Sequence, residues 1–137
     1  MDKKAVISIS SIQEGRKEDA IEVLTPGNFT KHQNGYSAEY DETKISGMEG
    51  TTTKIEISPE KLMLIREGTT TTKMEFEKNN KCTTMYTTQY GSLELVIETK
   101  NLDIDIDDNG GNIFINYNML IGGVQTEKTE LKINIKA

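Results

Sequence analysis

Leu93-Glu94-Leu95-Val96-Ile97-Glu98-Thr99-Lys100-Asn101-Leu102-Asp103-Ile104-Asp105-Ile106 is the stretch that decides the fold. Apolar side chains stand at odd positions at Leu93, Leu95 and Ile97, then at even positions at Leu102, Ile104 and Ile106. Alternation with a period of two marks a strand with one dry face and one wet face. A change of parity in mid-run needs one extra residue, so a β-bulge is predicted near Lys100-Asn101. Long strands bent by bulges are how small barrels turn their corners.

The same alternation recurs on both sides of this stretch. Upstream, Ala5, Ile7 and Ile9 share a face, as do Ile21 and Val23, and Pro26-Gly27 bends the path before Phe29. Tyr36, Ala38 and Tyr40 alternate with polar residues; so do Thr51, Thr53, Ile55 and Ile57, then Thr72, Met74 and Phe76, then Thr84, Tyr86, Thr88 and Tyr90. Downstream come Ile113, Ile115, Tyr117, Met119 and Ile121, and finally Leu131, Ile133 and Ile135. Between the runs lie Asn34-Gly35, Ser58-Pro59-Glu60, Glu67-Gly68, Asn79-Asn80, Asn109-Gly110-Gly111 and Gly122-Gly123. Asn and Gly tolerate the positive φ of tight hairpin turns. Links this short join antiparallel neighbours, because parallel strands need long crossovers. Ser58-Pro59-Glu60 followed by Leu62-Met63-Leu64-Ile65 carries helix-start signals but spans only about two helical turns, and it is read as strand. The expected fold is all-β: an antiparallel meander of about eight to ten strands, closed into a barrel so that no long edge is left open.

Composition sets the outer bounds. The chain has 137 residues, which is one domain, 1–137. Sixteen Lys and Arg against twenty-two Asp and Glu give a net charge of −6, which repels nucleic acid and anionic membranes. A single cysteine, Cys82, forbids an internal disulfide. The first residues alternate apolar with Ser and lack the continuous apolar core of a signal peptide. No run approaches the roughly 18 apolar residues of a spanning helix. A cytoplasmic location is therefore expected.

A wider pattern lies in Tyr90-Gly91-Ser92-Leu93-Glu94-Leu95, the long Thr-containing strand after it, the acidic Asn-Gly turn, and Ile113-x-Ile115-x-Tyr117-x-Met119. Upstream stand Leu62-Met63-Leu64-Ile65-Arg66-Glu67-Gly68 and Tyr40-Asp41-Glu42-Thr43. In these features the chain resembles the YwiB-like family of uncharacterised bacterial proteins. The resemblance runs along nearly the whole chain and is best over residues 86–121. It implies a calycin-like β-barrel, related in shape to lipocalins and fatty-acid-binding proteins, in low-GC Gram-positive bacteria. It brings no catalytic residues.

Several constellations could carry chemistry. Asp105-Ile106-Asp107-Asp108-Asn109-Gly110 matches the start of a calcium loop. Its twelfth position is Asn116 in place of the bidentate Glu, and strands flank it, so it reads as a solvated hairpin turn. His32 and Cys82 are each the only one of their kind, too few for a zinc site or an argued nucleophile pair, and no metal, cofactor or catalytic residue is assigned. Arg66 shares parity with Leu62 and Leu64. It either enters the barrel and anchors a carboxylate by bidentate hydrogen bonds, or ends its strand and snorkels to water at the rim.

Two functions from different classes follow. One is a non-enzymatic barrel that binds a small, partly apolar or acyl-like ligand in its lumen, lined by Tyr36, Tyr40, Arg66, Met74, Phe76, Tyr86, Tyr90 and Tyr117. The other is a side-chain-filled barrel serving as a protein-interaction or homo-oligomeric module. Outward Met63, Ile65, Met85, Val96, Phe114 and Leu120 would then form a partner or homodimer face.

Overall fold

The computed structural model describes residues 2–13, 21–42, 49–125 and 128–137. Among these residues the secondary structure is all strand: β1 (Asp2–Gln13), β2 (Ile21–His32), β3 (Gly35–Asp41), β4 (Thr51–Ile57), β5 (Lys61–Gly68), β6 (Thr72–Glu77), β7 (Lys81–Thr88), β8 (Gly91–Asp107), β9 (Gly110–Ile121), β10 (Val124–Gln125) and β11 (Thr129–Lys136). Ten of them follow one antiparallel path, β6-β5-β4-β3-β2-β1-β11-β9-β8-β7, and the short β10 adds to β9. The expected all-β meander is therefore present, with one two-residue strand more than expected. The segment after Ser58-Pro59 is strand β5, as read from the sequence despite its helix-start signals.

The first and last strands meet. β1 pairs with β11 from Val6↔Lys136 to Gln13↔Thr129. The break in the barrel lies in mid-chain. β6 and β7 are separated only by residues 78–80, yet they form no ladder; Thr71 and Thr87 alone exchange backbone hydrogen bonds, of 2.8 and 2.9 Å. The turn between them is tied to β8 instead: the Asn79 N–H donates to the Thr99 carbonyl, and the Thr99 N–H to the Asn80 carbonyl, each at 3.0 Å. The barrel is thus nearly closed, with one seam.

The bulge falls where the parity change put it, with the β8–β9 register shifting between Thr99 and Asn101. Thr99 and Leu102 consequently both face inward, and the outer half of β8 carries Ile104 and Ile106 over one end of the barrel. Gly110 and Gly111 make that hairpin tight: φ is +101° and +147°, and a Cβ at Gly111 would lie 2.0 Å from the Asp105 carbonyl oxygen. Pro26 does not break β2. The β1–β2 ladder runs through it at Val6↔Pro26, and β2–β3 pairing starts only at Asn28↔Glu39, so Pro26 has a strand neighbour on one side.

The middle of the barrel is filled. Ile7, Phe29, Ile55, Phe76, Ile97 and Ile115 expose 1% or less of their surface. A side chain bordering a void wide enough for water would show area to it, so these residues pack against one another. The side chain of Ile21, expected to share a face with Val23, and Thr43 of the quoted pattern lie outside the described residues.

Candidate functional site

Strand register assembles an inner polar row. Tyr40 on β3 stands opposite Thr53 on β4, Thr53 opposite Arg66 on β5, and Arg66 opposite Thr72 on β6. Glu42, two residues beyond Tyr40 and so of the same parity, turns its carboxylate in beside them. Its side chain is 2% exposed and accepts a 2.5 Å hydrogen bond from the Thr53 hydroxyl. Arg66 Nε lies 3.7 Å from Glu42 Oε2, and Arg66 Nη1 approaches the Met74 sulfur at 3.8 Å. Burial pushes the Tyr40 hydroxyl far above the usual phenol range; the Glu42 charge adds to the rise and Arg66 opposes it. Burial likewise raises Tyr117, with Arg66 again opposing. Among the described residues, Arg66 Nε and the hydroxyls of Thr72 and Thr99 are buried without a hydrogen-bond partner.

The opposite end of the barrel is built differently. The turns at residues 33–34 and 58–60, together with the outer half of β8, surround a cleft of about 740 Å³. Tyr36, Ile57, Pro59, Ile104 and Ile106 line it, with Asn34 and Ser58 at its polar edge. The Tyr36 ring stacks on Phe29 at 5.2 Å between centroids and 8° between planes. Its hydroxyl donates to Asp108 Oδ1 at 2.8 Å. Lys31 Nζ lies 3.1 Å from the same oxygen, and Lys3 Nζ donates to the Asp108 carbonyl at 3.0 Å. Three strands are thereby fastened to the β8–β9 tip through one aspartate. The hydrogen bond from Tyr36, followed by the one from Lys31, holds the Asp108 carboxyl below its ordinary value, and the same bond raises the Tyr36 phenol.

The residues expected to line one lumen divide into four groups. Tyr40, Arg66, Met74, Phe76 and Tyr117 meet inside, with Phe76 and Tyr117 packed edge to face at 5.0 Å. Tyr36 stands at the mouth. Tyr86 lies half-buried on β7 beside the seam. Tyr90 corrects the expectation: it is 91% exposed, because β7 ends at Thr88 and the chain is already turning. Arg66 is not a rim residue, since its side chain is only 17% exposed, and the carboxylate beside it is the chain's own.

Two features were missed in the sequence. Glu42 carried the parity signal, one step past Tyr40, but an acid at a strand end reads as surface. His32 Nε2 and Ser37 Oγ lie 2.7 Å apart, a contact between neighbouring strands that no spacing rule announces. The acidic segment from Asp105 is the β8–β9 tip, where the Asn109 N–H closes a turn on Asp107 Oδ1 at 2.8 Å. Among the described residues no group of three or more His, Cys, Asp and Glu side chains could hold a metal ion.

The profile of a family described as "Domain of unknown function (DUF1934)" matches residues 7–133. The chain is 27% identical over 117 residues to the "Uncharacterized beta-barrel protein YwiB" of Bacillus subtilis (strain 168), covering 85% of this chain and 80% of that one. Its fold superposes on the crystal structure of ywiB protein from Bacillus subtilis with a TM-score of 0.87 at 23% identity, over 99% of this chain and 92% of the other.

Proposed function

The chain belongs to the DUF1934 family, and on that footing we propose that it is a non-enzymatic barrel that binds one small, partly apolar ligand at its mouth. The observation that carries this reading is the cleft of about 740 Å³ between Tyr36, Ile57 and the outer half of β8. Its size is that of small-molecule sites, and a mostly apolar wall with a few polar groups is their usual make-up. The packed middle argues against a ligand running the length of the lumen, so the site moves from the axis to the end. The calycin-like resemblance, with its lipocalin-like and Gram-positive associations, supports ligand carriage. The absence of a catalytic constellation in the sequence supports a binding role over an enzymatic one. The net charge of −6 supports a partner other than nucleic acid or an anionic membrane. We read the protein as cytoplasmic; no helix among the described residues is long and apolar enough to cross a membrane.

The test is native mass spectrometry on protein purified from its own cytoplasm. A small mass on the wild type, lost in Ile104→Trp, which fills the cleft, is the expected result. A bare wild type with no response to a fragment library in two-dimensional NMR would defeat the reading.

A second reading draws on the filled middle and on the outer faces of β1 and β2. There Leu24 is 71% and Val6 45% exposed, and the register sets them on adjacent strands. A homodimer through this face would be seen by light scattering, and Leu24→Lys would return it to monomer.

A further inference from the structure

Arg66 is a largely buried cation whose donors are almost all unused. A guanidinium carries a fork of N–H groups and no acceptor. Glu42 Oε2 lies 3.7 Å from Nε, close enough to compensate the charge but too far to accept a hydrogen bond. Nη1 reaches the Met74 sulfur, a weak acceptor, at 3.8 Å. Among the described residues no oxygen accepts from the guanidinium, and Nε is left unpartnered. Opposite Arg66 across β5 and β6, Thr72 is buried and its hydroxyl is unpartnered too. Buried polar groups are normally hydrogen-bonded, so two neighbours left without partners point to an acceptor supplied from outside the chain.

The inner face continues from this pair into an apolar wall. The Thr71–Thr87 bridge brings the Thr72 end of β6 to the Tyr86 end of β7, and Tyr86 pairs with Leu93. Leu93 has the inward parity of Leu95, which is 3% exposed, yet Leu93 itself is 50% exposed. Tyr86 is half-buried, as is Ile121, which stands opposite Leu95. Inward-facing side chains that still meet water mark an opening of the interior at this end, beyond the packed middle.

We propose that the Arg66 end of the barrel is a second binding site, separate from the mouth cleft, for a small neutral molecule. Its apolar body would lie against Leu93, Ile121 and the Tyr86 ring, and its carbonyl or amide oxygen would accept from the Arg66 guanidinium. Glu42 decides the charge. It already compensates Arg66, so a ligand carboxylate would set two anions beside one cation in a region sheltered from water. A neutral acceptor takes the same N–H groups and adds no charge. Arg66 thus acts as a hydrogen-bond donor in place of the carboxylate anchor expected from its sequence position.

The experiment uses two probes with one body, 1-naphthaleneacetamide and 1-naphthaleneacetate, titrated into the whole chain and followed by NMR. The amide is expected to bind about tenfold tighter than the acid, and shifts should fall on the Leu93 and Ile121 methyls and the Tyr86 ring. Glu42→Gln/Arg66→Met removes both charges together, so no buried ion is left alone, and it should weaken the amide about tenfold. Leu93→Asn, at a half-exposed position the core does not require, should weaken both probes with Arg66 in place. An acid that binds as tightly as the amide overturns the assignment of a neutral ligand. A double variant that keeps the amide affinity removes Arg66 as the donor and overturns it as well. If neither probe binds, if Leu93→Asn changes nothing, or if the shifts fall on Ile104 and Ile106 alone, this end is not a site, and the mouth cleft stands or falls on its own test.

Discussion

Replacing Arg66 by Met isolates a carboxylate that the fold has taken out of water. Glu42 is 2% exposed, and the guanidinium 3.7 Å away is the cation that compensates it. At an effective dielectric constant of about 20 such a pair is worth about 4 kcal/mol in mutual attraction. Removing one partner of a buried pair costs about 3–5 kcal/mol, because the other charge is left uncompensated. Met keeps much of the aliphatic stem, so the loss reports charge more than packing. With a urea slope of about 2 kcal/mol/M, the unfolding midpoint should fall by about 2 M. A barrel of ordinary stability has only about 5–15 kcal/mol in hand, so the single variant is expected to be marginal. The double variant Glu42→Gln/Arg66→Met is the control: Gln still accepts from Thr53 and nothing charged remains, so it should recover to within about 2 kcal/mol of wild type. A loss below about 1 kcal/mol for Arg66→Met, or a double variant no better than the single, would refute the reasoning.

Other outcomes test other parts of the structure. The carboxyl of Asp108 is held below its ordinary value in the folded state, so its latch is fully stabilising above the usual carboxylate range and is lost as pH falls through the lowered value. The NMR signals of the Tyr36 ring should follow that titration, and Asp108→Asn should abolish it. Gly111→Ala, where a Cβ would meet a backbone oxygen at 2.0 Å with φ at +147°, should cost more than about 2 kcal/mol by urea unfolding. Phe76→Ala should cost about 3–5 kcal/mol, whereas Tyr90→Ser at the exposed turn should stay within about 0.5 kcal/mol, although both residues sat on one predicted face.

Most of the architecture was legible because it depends on parity and turn chemistry. The shift from Ile97 to Leu102 located the bulge, since a two-residue period leaves no other way to keep both halves of β8 on the core. Parity with Leu62 and Leu64 left Arg66 either inside the barrel or snorkelling at the rim, and it gave no sign of the neighbour's identity. Glu42 becomes a partner only when β3 and β4 bring residues 42 and 53 together. Tyr90 failed because parity says which face a residue takes while the strand lasts, not where the strand stops. The seam had no signal at all: Asn79-Asn80 reads as a hairpin turn, and whether the strands beside it pair is settled by the curvature of the other strands. The packed middle is a matter of volume, which alternation does not encode.

The seam between β6 and β7 also makes the order of the strands in the chain less binding than it looks. β1 and β11 lie side by side through a full ladder, while the connection at residues 78–80 spans a boundary that Thr71 and Thr87 alone bridge. Nicking the loop there and tethering residue 137 to residue 2 through a flexible spacer would yield a circular permutant that starts in β7 and finishes in β6, with every ladder conserved. The sheet behaves as a ribbon whose free margins, β6 and β7, are neighbours in sequence, while β1 and β11 sit in the middle of the cloth.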